Sequence, residues 1–218
     1  KVNYLIKRRK YYHYILLFYL LITAAILVLV NNVGLIFYFI IITTGGVLYT
    51  VVFKELTKTI PGFKSLYVAL LWAYHGTFFA LFFYHINISY IILIITLFIF
   101  LKSLINATYF DLKDLDADMK EKLKTLPIIF GRNNTINILH VINTIAFILI
   151  IYSVYTKILP FYTIILSVFY FYTMYYLYKG KNAKRSDLLK YSYIMADSEF
   201  LLWPIALIIC KSLLNWPV

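Results

Sequence analysis

Seven long apolar runs constrain this chain more than any other feature of it. They fall at about residues 14–30, 33–53, 65–84, 88–101 and somewhat beyond, 135–155, 158–178 and 196–214, and each is nearly free of charge. A helix of roughly 20 such residues crosses a bilayer core of about 30 Å. Backbone in lipid must satisfy its own hydrogen bonds, so it spans as helices or as a closed barrel. Barrel strands alternate apolar and polar residues, and these runs do not. The pattern predicts an all-α fold, a polytopic transmembrane helix bundle of about seven spans. With 63% hydrophobic and 14% charged residues and a mean hydropathy of +0.82, the chain is far more apolar than a soluble domain. Residues 1–218 carry no short-period repeat and no low-complexity linker, which predicts one domain. Cys210 is the lone cysteine, so an intrachain disulfide is excluded. The chain opens on Lys1 rather than Met, as a fragment or a processed product does, and no cleavable signal pattern precedes the first span.

Charge sorts the connections. Lys and Arg number 21 against 9 Asp and Glu, a net charge of +12. All of the basic residues except Lys157 and Lys211 lie in the N-terminal segment or in and beside the connections around Lys54, Asp111 and Lys184. Lys102 is read as standing near the cytoplasmic end of the fourth span. Alternating spans put these connections on one side, and the positive-inside rule makes that side cytoplasmic. The turns at Asn31, His85 and Lys157 then face outward. The basic excess reads as topology and as attraction to anionic lipid headgroups; no element for reading nucleic acid is visible, and no nucleic-acid partner is expected.

Acid is scarce and concentrated, with five of the nine acidic residues between Asp111 and Glu121. If the stretch from Asp111 to Asp118 is helical, Asp111, Asp114 and Asp118 fall within about 60° of one another and Asp116 points away. Carboxylates held that close repel and call for a cation. Mg²⁺ suits them, because it takes oxygen ligands and bridges carboxylates to phosphate. A solvated acidic loop balanced by Lys113, Lys120, Lys122 and Lys124 fits the spacing equally well. Tyr49, Lys54, Lys58, Lys64 and Lys124 share that side of the membrane and supply the donors that a departing diphosphate requires. Acids for metal, bases for phosphate and an apolar bundle beside both are the parts of a lipid diphosphate site. The competing class is a non-enzymatic, transporter-like protein with a cation-binding acidic loop. A transporter places paired charges or broken helices near mid-membrane, whereas these spans read as nearly charge-free.

These residues resemble the UbiA superfamily of intramembrane prenyltransferases. That family's second aspartate-rich motif commonly reads Asp-x-x-Asp-x-Glu-Gly-Asp, followed by Lys-Thr-Leu-Pro and a Gly. Asp111, Asp114, Asp116 and Asp118 match its acidic positions, with Asp116 for Glu and Ala117 for Gly, and Lys124-Thr125-Leu126-Pro127 and Gly131 follow. Tyr49 with Lys54 looks like the family's Tyr and basic residue in a cytoplasmic connection, and Lys64 resembles the Lys that opens the next helix. The resemblance implies Mg²⁺-dependent transfer of a prenyl group from an allylic prenyl diphosphate to an aromatic or lipid-type acceptor. It assigns Asp111, Asp114 and Asp118 to metal and substrate, Lys54, Lys64 and Lys124 to the leaving diphosphate, and Tyr49 to a hydrogen bond. It also implies spans three to nine of the family's nine-helix bundle. The family's first motif, Asn-Asp-x-x-x-Asp-x-x-x-Asp, has no counterpart before Asp111, where Glu55 is the only acid. The expectation is a domain without the first two helices, or roughly 60–80 residues, and an impaired activity.

Other polar residues have plainer readings. His13 sits at a basic interface and His85 in a solvated turn. His75 and His140 lie within spans, where a helix-to-helix hydrogen bond is expected over metal ligation. Gly45-Gly46 permits close helix packing. Asp197 and Glu199 open the last span as caps for its N-terminal dipole, with Asp197 pointing into the cavity as the alternative. Tyr170, Tyr172, Tyr175, Tyr176 and Tyr178 read as an interfacial belt.

Overall fold

The computed structural model describes residues 2–214, with side chains at Tyr11 and from Tyr14 onward; the basic segment at 1–10 and His13 lie outside the described side chains. Its elements are helical throughout: α1 Val2–Val30, α2 Val33–Leu48, a π-helical turn Tyr49–Phe53, α3 Lys54–Thr59, α4 Phe63–Tyr84, α5 Tyr90–Lys120 and α6 Leu126–Tyr155. A 3-10 stretch Phe161–Val168 then leads into α7 Phe169–Lys181, and α8 Arg185–Lys190 joins α9 Asp197–Leu213 through a second π-helical turn, Tyr191–Ala196. Several of these run on without a break, so the elements form seven rods. Five rods are long and apolar enough to cross a membrane, among them Val33–Thr59 and Arg185–Leu213, while the apolar part of α1, Tyr14–Val30, is shorter.

The rods end where the sequence leaves helical space. Asn31, His85, Lys122 and Lys157 adopt φ between +49° and +58°, a region that short turns use and helices do not. Asn32 caps α2, its side chain accepting from the Leu35 amide at 3.1 Å, as N-cap asparagines do. Gly62, at φ +68°, occupies the cap position of α4, and its amide donates to the Lys124 carbonyl at 2.8 Å. Lys124 in turn donates its amide to the Thr57 carbonyl at 2.8 Å. The connections before α4 and before α6 are thereby strapped together at one end of the bundle.

Packing follows small residues and periodicity. Ser65, Ala69, Ala73, Thr77 and Leu81, spaced four apart, form the buried face of α4, and small residues at that spacing let helix backbones approach in lipid. α5 lies against this face. On its other side α5 enters a core of Ile105, Tyr109 and Leu112 with Ile136 and Leu139 of α6, Tyr176 and Leu177 of α7, and Ala196. Gly45 approaches α4, where the Tyr67 hydroxyl donates to its carbonyl at 2.8 Å, while Gly46 meets open space. His75 bonds to the Tyr38 hydroxyl across α2 and α4, as its place in a span predicts. His140 differs, since its Nδ1 is buried without a partner among the described residues.

Two expectations need correction. The acidic stretch is not a loop, because α5 continues unbroken through Asp111, Asp114, Asp116 and Asp118; its apolar face stays buried against α4 and α6, so nothing terminates it before Lys120. The tyrosine run is also not a uniform belt. Tyr176 is buried at 1% exposure in the core, and the Tyr172 hydroxyl donates to the Met195 carbonyl at 3.1 Å, leaving Tyr175 and Tyr178 on the surface.

Candidate active site

Seven residues separate Asp111 from Asp118, two turns of one helix, so both carboxylates face α4. Lys64, in the first turn of α4, reaches between them, its Nζ 2.9 Å from Asp111 Oδ1 and 2.9 Å from Asp118 Oδ1. It also donates to Asp118 Oδ2 at 3.1 Å. The Ser65 hydroxyl donates to Asp111 Oδ2 at 2.5 Å. Both aspartates are buried, and a buried carboxylate is tolerated when a cation and hydrogen-bond donors satisfy it. Asp114, half-exposed one turn from Asp111, accepts from Lys113 Nζ at 2.8 Å. Lys113 is itself buried, its ammonium 4.7 Å from the Phe110 ring centre and 5.1 Å from that of Tyr193, within cation–π range. Asp116 turns to the opposite side and pairs with Arg185 at 2.6 Å.

A cavity of about 310 Å³ opens beside this cluster, with Lys64, Asp111, Asp114, Phe110 and Trp72 in its wall. A second cavity, of about 430 Å³, is walled by Trp72, Ser103, Asn106, Asp197, Phe200 and Leu201. Trp72, Asn106 and Asp197 belong to both, so the charged end adjoins a mostly apolar one.

The remaining residues singled out by sequence stand at the rim. Tyr49 is half-buried in the first π-helical turn, stacked on Tyr67 with ring centres 5.5 Å apart and within electrostatic reach of Lys64, Asp111 and Asp118. Lys54 is exposed and pairs with Glu121 at 3.1 Å. Lys124 is exposed, its ammonium donating to the Thr59 carbonyl at 3.3 Å. Lys64 therefore joins the aspartates directly, and Lys54 and Lys124 do not.

Mg²⁺ can be weighed against these donors. Asp111 and Asp114 offer oxygen ligands to one cavity, the donor chemistry that Mg²⁺ takes. Asp118 is gripped through both oxygens by Lys64 and is absent from the cavity wall. No group of three or more His, Cys, Asp or Glu among the described residues is gathered to share one ion. The fit is thus to two carboxylates on one cavity, Asp114 and Asp111, the latter with Oδ1 met by Lys64 and Oδ2 by Ser65.

Sequence reasoning missed four residues, Lys113, Ser65, Lys102 and Glu199. Lys113 was visible only as one counter-charge among several. Ser65 gave no signal. Lys102 and Glu199 were read at span ends, yet they form an ion pair at 2.6 Å with both side chains 3% exposed. Lys102 also donates to Thr173 Oγ1 at 2.6 Å and Asn143 Oδ1 at 3.1 Å, and Glu199 Oε2 accepts from Thr173 at 2.9 Å and Tyr176 at 3.3 Å. The π-helical turn carries the last rod's helix past Ala196, so Glu199 lies inside a continuous rod and not at its cap. A lysine within an otherwise apolar run was the available signal.

The profile of the UbiA prenyltransferase family matches residues 5–197. No curated protein and no solved structure matches the chain.

Proposed function

The chain belongs to the UbiA prenyltransferase family, and from that premise we propose that it transfers a prenyl group from an allylic prenyl diphosphate to a lipophilic acceptor within the membrane, with Mg²⁺ as cofactor. The observation that carries this reading is Lys64 held between Asp111 and Asp118 at the mouth of a cavity that adjoins an apolar one. A soluble diphosphate has no use for the second cavity; a prenyl tail does.

In this reading Asp111 and Asp114 hold Mg²⁺, which when bound supplies Lewis-acid neutralisation of the diphosphate. Asp118 acts through Lys64 by fixing its ammonium. As the allylic C–O bond breaks, negative charge gathers on the departing diphosphate, and Lys64 is the fixed cation in the cavity wall placed to stabilise it. Tyr49 donates a hydrogen bond at the rim, and Lys54 and Lys124 draw the anion toward it. The allylic carbon turns cationic and meets the π faces of Trp72 and Phe110. The acceptor bonds to that carbon in place of the departed diphosphate, and the proton it loses passes to that diphosphate, the base that the reaction itself supplies.

The transporter-like reading has one observation in its favour, the buried Lys102–Glu199 pair. Neither residue lines a described cavity, and both are sealed. A transport pathway requires charges that line a cavity or a water-filled route.

Binding of radiolabelled farnesyl diphosphate to the chain in phosphatidylcholine vesicles tests the proposal. Binding is expected to require Mg²⁺, to be reversed by EDTA, and to weaken tenfold or more in Asp111→Asn and Asp114→Asn. Binding indifferent to Mg²⁺ and to both substitutions would overturn it.

A further inference from the structure

Asp197 stands apart from the other carboxylates that the cavities expose. Asp111 and Asp114 are each matched to a lysine, but Asp197 makes no ion pair among the described residues. Its contact is a neutral one, Oδ1 accepting from Asn106 Nδ2 at 3.1 Å. The residue is exposed, and it forms part of the wall of both cavities. It also lies well inside the rod Arg185–Leu213, which is apolar enough to span. A carboxylate in such an apolar rod is costly and is kept where a partner meets it.

The helix geometry sets this orientation. Facing contacts run antiparallel along α5 and α9: Asn106 with Asp197, Lys102 with Glu199, and Phe98 with Trp203, ring centres 5.1 Å apart. The π-helical turn Tyr191–Ala196 immediately precedes Asp197. A π turn shifts the phase of every following residue and is common beside functional sites. With it, Glu199 seals against Lys102 while Asp197 opens into the cavity. Asn106 precedes Asp111 and Asp114 on α5 by five and eight residues, about 7–12 Å along the axis. A group bound at Asn106 and Asp197 would lie in the same cavity as Asp111 and Asp114.

We infer that Asp197 and Asn106 form the acceptor pole of the cavity, and that the acceptor is a neutral lipophilic molecule presenting a hydroxyl group. This rests on the proposed prenyl transfer. The carboxylate accepts the hydroxyl hydrogen bond and the amide fixes the carboxylate. An acceptor bearing its own carboxylate meets like charge there; Lys64, the cation in that cavity's wall, is already paired with Asp111 and Asp118, and Asp197 has no ion-pair partner among the described residues. Trp72, Phe200 and Leu201 cover the apolar body.

The test measures equilibrium binding of three probes to the chain in phosphatidylcholine vesicles: 4-heptylphenol, 1-dodecanol and 4-heptylbenzoate. The phenol, or the alcohol, is expected to bind at least tenfold more tightly than the benzoate, and the two hydroxyl probes separate a phenolic from an aliphatic acceptor. In Asp197→Asn the discrimination against benzoate should shrink to threefold or less, a change that general loss of structure cannot produce because it would weaken all three probes alike. Should that variant fail to fold, Asn106→Leu, which frees the carboxylate from its amide, is expected to weaken the hydroxyl probes fivefold or more. Benzoate binding as tightly as the phenol and the alcohol in the unaltered chain, or discrimination unchanged in Asp197→Asn, overturns the inference. Mg²⁺-dependent farnesyl diphosphate binding, followed separately in the unaltered chain, reports on the transferase reading alone.

Discussion

Lys64 and Lys102 are two lysines in two different electrostatic situations. Lys64 bridges Asp111 and Asp118 beside an open cavity, so its charge remains available to an incoming anion. Lys102 is enclosed with Glu199 and has no such access, so its role is to join α5, α6, α7 and α9. Removing one partner of a buried pair leaves the other uncompensated, whereas replacing both with apolar groups is often neutral. Lys102→Met and Glu199→Leu are each expected to lower stability by about 3–5 kcal/mol, and the double substitution to recover most of that loss. Thermal or denaturant unfolding in detergent reads this out, and additive losses would show that the two charges are not coupled. The helical spacing of Asp111, Asp114 and Asp118 was legible because it needs only one helix; the structure turns Asp111 and Asp118 to Lys64 and pairs Asp114 with Lys113. Lys64 was legible as a site lysine through the resemblance, but its grip on Asp111 and Asp118 was not, since it arrives from α4; nor was the pairing of Lys102, whose partner Glu199 arrives from α9. Contacts between elements leave no periodic mark in the sequence.

At the scale of elements, local chemistry explains where rods bend and where they meet. Gly131 lies inside α6 at φ +72° and ψ 166°, a conformation that is essentially restricted to glycine. The bend aims Arg132 at the end of α7, where its Nη2 donates to the Gly180 carbonyl at 2.5 Å and to that of Ala183 at 2.7 Å. Arginine at a helix C-terminus satisfies carbonyls that the helix leaves open. Gly180 admits this arrangement, since a Cβ there would stand 2.6 Å from the Tyr109 hydroxyl. Gly131→Ala is expected to cost about 1–3 kcal/mol. Arg132→Met should remove much of the same contribution, so the double variant should lose less than the sum when both are measured by thermal unfolding. Gly131 was legible as a motif position, but its purpose was not, because the residue it aims at lies in another rod. Apolar run lengths marked the rods well. The π-helical turns at Tyr49–Phe53 and Tyr191–Ala196 were invisible, since a one-residue shift in helical phase leaves composition unchanged.

For the molecule as a whole, the turns divide between two ends. Gly62, Lys122 and the break after Lys181 lie at the end that carries the aspartates, while Asn31, His85 and Lys157 close the other. Positive charge concentrated at the first end predicts that it faces the cytoplasm. In a Cys210→Ser background, single cysteines at Lys122 and Asn182 should react with an impermeant maleimide only from the cytoplasmic side, and cysteines at His85 and Lys157 only from the opposite side. Labelling of Lys122 and His85 positions from one side would refute the arrangement. The closed pair between α5 and α9 also bears on biogenesis. A lysine within a span costs up to about 2.5–3.5 kcal/mol on entry to the bilayer, and α5 is translated before Glu199. Until the final rod arrives, the Lys102 ammonium meets only neutral partners such as Asn143 and Thr173, so arrival of that rod supplies its counter-charge. A ribosome-bound intermediate halted ahead of Glu199 would hold a buried lysine with no carboxylate to meet it.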